Sequence, residues 1–262
     1  MQWHGAIVRL AAKHADPIRK GFKKAFDADE IVAAFFNAFL GNSEVGTQQA
    51  RDWAKIHINA NKTTLIAALR PLYADGWALG ESMAQTFLLK EVEKAITINP
   101  TIKPVVDWAN WKPGNQAAAA LINPKGGLQN LLDSRGVTID GVSETKINRI
   151  GTVLGNALQL GITPKDVSIM VDQVIGDPQQ ALVIAQTEMS RAVSVASREL
   201  YTTSGVEQVE WLVAEGCEDC QDNADASPIS IDDVFPSGDT EPPAHPNCMC
   251  SLAPYIVDTS NL

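Results

Sequence analysis

The sequence predicts a mainly α chain: an N-terminal helical bundle, then a small C-terminal α+β domain whose long loop is stapled by a metal ion. Three observations carry this. Apolar residues recur at helical spacing through the first 98 positions. A stretch rich in Pro, Gly and Asn follows, between Thr97 and Gly141. After Gly205 the period switches to two, and all four cysteines lie within residues 217 to 250. The expected division is a helical domain over 1–98, a connector with short helices over 99–141, and a C-terminal domain over 142–262.

In chain order, Asp16 and Pro17 fit a cap and a first helical position, and the basic run RKGFKK follows. Asp27 with Glu30 three residues on resembles a capping box, and the helix it opens should stop at Gly41. Helical periodicity returns from Thr47 to about Ala60 and from Thr63 to about Ala95, with Pro71 expected to kink or break the latter. In the connector, Trp108 and Trp111 are expected to pack against a neighbouring surface. A helix from Ser143 to Leu160 should present Ile147, Ile150, Val153, Leu154, Ala157 and Leu158 on one stripe and end at Gly161. Thr163, Pro164 and Asp166 then open a helix to about Ile175, and Asp177 with Pro178 opens another that runs to Thr203. Two strands are expected beyond it, VEQVEWLVA with Val209, Trp211 and Val213 on one face, and SLAPYIV, bounded by Pro254.

Composition narrows the function. The longest apolar run, IVAAFFNAFL, is too short to span a bilayer, and the N-terminus lacks the order of a secretory signal, so a soluble chain without membrane association is expected. Net charge is −10, and 13 of the 31 acids follow Arg198, beyond which there is no Lys or Arg. A tail so acidic repels phosphate backbones, which argues against a DNA-binding zinc finger. NPKGG lacks the arrangement of a phosphate loop.

CEDC at 217–220 and EPPAHPNCMC at 241–250 together supply five soft or borderline donors: Cys217, Cys220, His245, Cys248 and Cys250. A tetrahedral zinc ion takes four such ligands, and CxxC provides two from one tight turn, here beside Gly216. A structural zinc, giving a zinc-stapled loop, is the leading reading; a disulfide pair and free redox thiols stay open, as does the choice among the five donors. A surplus of ligands favours a closed site over a catalytic one, and the HxE element of zinc deaminases is absent. Glu215, Glu218 and Asp219 are the nearby acids that a catalytic alternative would recruit as a base. In the helix before the strands, Glu188 and Arg191 sit one turn apart on an apolar stripe, as an ordinary ion pair or as a semi-buried pair anchoring the helix against the metal-bearing loop.

Taken in order, ALQLGITPKDVSIMV, IAQTEMSRA, the strand with Trp211, CxxC and PPAHPNCMC resemble the Mu F-like head morphogenesis family of tailed bacteriophages over residues 143–256. The resemblance implies that Cys217, Cys220, His245, Cys248 and Cys250 are metal-binding positions, that Thr187, Glu188 and Arg191 match the family's helical TE segment, and that Trp211 matches its strand tryptophan. Met249 departs from the Arg or other polar residue usual between the last two cysteines. A minor capsid protein is implied, located in the virion near the portal and in the host cytoplasm during assembly, acting in procapsid assembly and in DNA packaging or ejection, and not an enzyme. Implied partners are the portal protein and the major capsid protein, with packaged DNA as a further partner for the basic N-terminal face. The competing readings are a zinc-dependent effector enzyme encoded by a phage and a DNA-binding adaptor.

Overall fold

A computed structural model describes residues 2–39, 45–98, 136–214 and 217–256. The chain is mostly helical, with a small three-stranded sheet near the C-terminus. The helices are α1 (Gln2–Ala25), α2 (Ala28–Ala38), α3 (Thr47–His57), α4 (Lys62–Ile98), α5 (Gly136–Gln159), α6 (Pro164–Ile175), α7 (Pro178–Thr203) and α8 (Glu218–Asp225). The strands are β1 (Gln208–Leu212), β2 (Ile229–Ser230) and β3 (Ser251–Tyr255). The expected stop at Gly41, Trp108 and Trp111 with the connector as far as residue 135, and Glu215 and Gly216 beside the CxxC pair lie outside the described residues; residues 136–141 already belong to α5.

Local capping chemistry sets several helix ends. Asp27 accepts from the Glu30 backbone N–H at 3.0 Å, and Thr163 caps α6 with Pro164 in its first turn. Asp177 accepts from the Gln179 and Gln180 N–H groups and opens α7. Gly161, at φ +65°, ends α5 in a Schellman motif: Ile162 N–H reaches Ala157 O and Gly161 N–H reaches Leu158 O. The same pair of bonds closes α7 around Gly205, from Val206 to Tyr201 and from Gly205 to Thr202.

Neither proline marks a helix end. Pro17 lies inside α1 and Pro71 inside α4. In α1 the buried positions Ile7, Ala11, His14, Ile18 and Phe22 form one stripe through the proline, and burial along a continuous face outweighs one missing backbone bond. Asp16, instead of capping, pairs with Arg19 at 2.6 Å and Lys20 at 2.7 Å. Lys23 pairs with Asp172, which leaves Lys24 as the one cation of RKGFKK without an ion pair among the described residues.

The chain forms two compact units, each drawing on segments from both sides of residues 99–135. One unit comprises Met1–Lys13, Pro71–Leu132 and Val183–Leu262; the other comprises His14–Arg70 and Asp133–Leu182. Helices α1, α4 and α7 each contribute to both, as their length allows: α4, at 37 residues, is roughly 55 Å long.

The second unit is purely helical. Gly151 and Gly155 of α5 let α3 approach so closely that an added Cβ would lie 2.6 Å from Arg51 Cα and 2.8 Å from Thr47 Cα. Its least expected feature is Lys146, 1% exposed on the buried face of α5. The ammonium donates to Val174 O at 3.2 Å, Ile175 O at 2.9 Å and Gln180 Oε1 at 2.7 Å, and sits 4.4 Å from the Phe22 ring centroid. It thereby caps the carbonyl end of α6, where the helix dipole favours a cation.

In the first unit Gly76 and Gly80 of α4 meet α7, an added Cβ at Gly80 lying 2.3 Å from Val193 O. The sheet has the order β2-β1-β3, antiparallel throughout, with Val209 opposite Pro254 and Trp211 opposite Leu252. Pro254 thus sits within β3 rather than bounding it, which an edge strand tolerates. Beneath the sheet one buried cluster gathers Tyr201, Val206, Val209, Trp211, Phe235 and Leu252 together with Cys220, Cys248 and Cys250. Among the described residues no helix is long and apolar enough to cross a membrane.

Candidate metal centre

Two local structures deliver the five donors. CEDC starts a helix instead of forming an isolated turn. Cys217 is the N-cap of α8 and its sulfur accepts from the Cys220 backbone N–H at 3.3 Å, so both thiols of the pair face one way from the first turn. The acids of that turn, Glu218 and Asp219, suit a helix N-terminus and are exposed.

HPNC supplies the other half as a β-turn. Cys248 N–H bonds back to His245 O at 3.2 Å, Pro246 fills the second position, and Asn247 takes φ +65° at the third. That is the pattern of a type II turn, in which Pro presets one dihedral and Asn tolerates the left-handed one. The turn is pinned to α7: Asn247 N–H donates to Thr187 Oγ1 at 3.0 Å, and Arg191 Nη2 donates to Pro243 O at 3.4 Å. Glu188 accepts from Tyr73 Oη at 2.7 Å, so the hydrogen bonds of Glu188 and Arg191 run to different partners. Arg198 adds a third tether from α7, donating to Ile231 O at 2.7 Å and lying 3.7 Å from Glu241.

The donor atoms fall into two triads, Cys217–Cys220–His245 and Cys220–Cys248–Cys250, each with its atoms within 4.8 Å of one another. Cys220, fully buried, belongs to both. Its sulfur lies 3.5 Å from His245 Nε2 and 3.6 Å from Cys248 Sγ. Metal–sulfur bonds of about 2.3 Å and metal–nitrogen bonds of about 2.0 Å at tetrahedral corners separate two sulfurs by roughly 3.8 Å and a sulfur from a nitrogen by roughly 3.5 Å. The spacing around Cys220 therefore fits a tetrahedral ion, and the cluster can hold a metal. Cys217 Sγ and His245 Nε2, at 3.0 Å, are in hydrogen-bond contact.

The electrostatics suit the same chemistry. His245 Nδ1 lies 2.9 Å from Pro246 O, a pairing that requires the proton on Nδ1 and leaves Nε2 as the ligand atom; this bond and the neighbouring thiols raise the imidazole's basicity. Bonding from the Cys220 backbone N–H and thiol lowers the Cys217 ionisation. Burial pushes the Cys220 thiol up to about 12. Cys248 is raised because its thiol donates to Cys250 and is itself buried, and Cys250 is lowered for the converse reason, with help from the Ala214 backbone N–H. The Cys220 and Cys248 sulfurs are in thiol–thiol contact, and a divalent cation bound there would displace the thiol protons.

All five predicted donors are thus brought together, and no further His, Cys, Asp or Glu joins either triad among the described residues. Sequence reasoning missed α8, whose signal was an acidic first turn behind a capping residue, and the role of Thr187 as acceptor for the HPNC turn. Comparison of the chain with protein-family models, with curated proteins and with solved structures finds no match.

Proposed function

We propose that this chain is a minor capsid protein of a tailed bacteriophage, a head morphogenesis component that joins the portal vertex during procapsid assembly, and that its Cys/His cluster holds a structural Zn2+. The observation that supports this best is the convergence of resembling segments: the strand bearing Trp211, CEDC and PPAHPNCMC share one buried cluster, and the TE helix is hydrogen-bonded to PPAHPNCMC. A closed, largely buried thiolate–imidazole site stabilises a domain and leaves no position for substrate, so the role is one of surfaces and not of turnover. Zinc suits four soft donors at tetrahedral spacing better than calcium or magnesium, which take oxygen.

The DNA-contacting alternative through the basic face of α1 is less well supported, because Arg19, Lys20 and Lys23 are engaged with acids. Capture of the tagged full chain from a phage-producing lysate tests the assignment. The expected result is co-purification with portal protein and incorporation into sedimenting procapsids; a chain that stays free of heads and portal contradicts it.

A further inference from the structure

The indole N–H of Trp211 is buried and makes no hydrogen bond of ordinary geometry among the described residues, and the side chain it approaches is the Cys250 thiol. Trp211 is 2% exposed, and a buried indole normally finds an acceptor, because an orphaned donor costs about 1–3 kcal/mol. The obvious oxygens nearby are engaged. Ser227 Oγ accepts from the backbone N–H of Trp211 and donates to Asn223 O, while Leu252 O accepts from Tyr201 Oη. The Phe235 ring, 5.0 Å away and near-perpendicular, covers part of the indole.

Strand register points the indole elsewhere. Trp211 pairs with Leu252, and Leu212 with Ser251 is the last pair of the ladder; carried one residue further, that register would set Val213 opposite Cys250. Alternate residues of a strand share a face, which places Trp211 and Cys250 as diagonal neighbours on one face of the sheet. Both belong to the same buried cluster. A neutral thiol is a poor acceptor, whereas a metal-bound thiolate is a strong one.

We propose that Trp211 is a positioning residue of the metal centre, its indole N–H donating to the Cys250 sulfur in the metal-loaded protein and fixing Cys250 as one of the ligands. This rests on the metal-site reading above. The bond would hold the sulfur against the sheet while the HPNC turn presents Cys248 and His245 from the other side. It also gives both parts of the tryptophan a use: the ring packs, and the N–H serves the ligand.

Co(II) titration of the full chain tests it, read by affinity against a competing chelator, by thiolate-to-cobalt charge-transfer absorption and by the assigned Trp211 indole resonance. In the wild type the indole proton should shift on metal addition. W211F, folded by circular dichroism, should bind Co(II) about 10- to 100-fold more weakly with a shifted charge-transfer band. C250S should lose one thiolate's share of that absorption, and W211F should weaken binding no further in the C250S background. Should W211F fail to fold, benzothienylalanine at 211, which replaces the N–H by sulfur at nearly constant shape, supplies the same comparison. Unchanged affinity and spectrum on loss of the N–H, or an equal loss in the C250S background, would overturn the positioning role and leave the metal site standing. A wild-type chain that binds no Co(II) would instead overturn the metal reading, and this proposal with it.

Discussion

The helical unit of residues 14–70 and 133–182 and the sheet-bearing segment of residues 206–256 stabilise themselves by different means. The helical unit contains no cysteine; it closes its helix ends with Asp27, Thr163, Asp177 and Gly161, brings α3 against α5 through Gly151 and Gly155, and neutralises the end of α6 with one buried lysine. The sheet-bearing segment has strands of five, two and five residues, too few for a core of its own. It supplies nine residues to the buried cluster that it shares with α4 and α7, and three of the nine are cysteines. Where a helix pair gains stability from backbone approach, a short sheet under a long loop gains it from side chains that can share an ion.

The largest expected effect comes from removing the donor common to both triads. Cys220→Ser should cost several kcal/mol and expose the backbone of 208–256 to hydrogen exchange, while α3, α5 and α6 keep their protection. Equal loss in both regions would break the contrast. Gly151→Ala should act in the opposite place: its new Cβ meets Arg51 backbone atoms, and a loss of about 2–3 kcal/mol, seen as faster exchange in α3 and α5, should leave the thiols' metal affinity unchanged.

Lys146→Met should destabilise the helical unit by about 1–3 kcal/mol, since two α6 carbonyls lose their donor. Burial lowers the Lys146 ionisation to about 8 from 10.5. Below pH 8 both folded and unfolded chains hold the proton and the difference between variant and wild type is flat. Between pH 8 and 10.5 the unfolded chain binds more protons, so the wild type gains stability and the gap widens. A gap that narrows over that window would contradict the buried-ammonium account.

The smallest effect concerns Glu81 of α4, 6% exposed, which accepts from Trp77 Nε1 at 3.1 Å and whose ionisation burial raises. Holding the carboxyl neutral favours the folded state at low pH, and that advantage is lost as pH rises through the raised value. Glu81→Gln should therefore stabilise by about 1 kcal/mol at pH 7 and not at all below the ordinary carboxylate range, as denaturant melts at the two pH values will show.

Much of this was legible before the structure. The caps at Asp27, Thr163 and Asp177 are short-range chemistry, readable from three or four residues. Pro17 reads as a helix start from its neighbours alone, whereas a buried stripe along the whole of α1 carries the helix through it. Lys146 was invisible because a lone lysine reads as surface; only the carbonyl end of α6, 28 residues away, makes a buried place for it. The five donors declared themselves by type and spacing. That Cys220 is shared by both triads, and that Thr187 pins the HPNC turn, depends on how α7 and α8 come together, which no spacing encodes.

The central claim is that the Cys/His cluster is a metal centre on which the fold of residues 208–256 depends. Native mass spectrometry of the purified full chain with hydrogen exchange before and after chelation tests it most directly. The account predicts one zinc per chain and, on its removal, lost protection over β1, α8 and β3 with the helical unit unchanged. A folded, metal-free chain with four reactive thiols and full protection over those elements would contradict it.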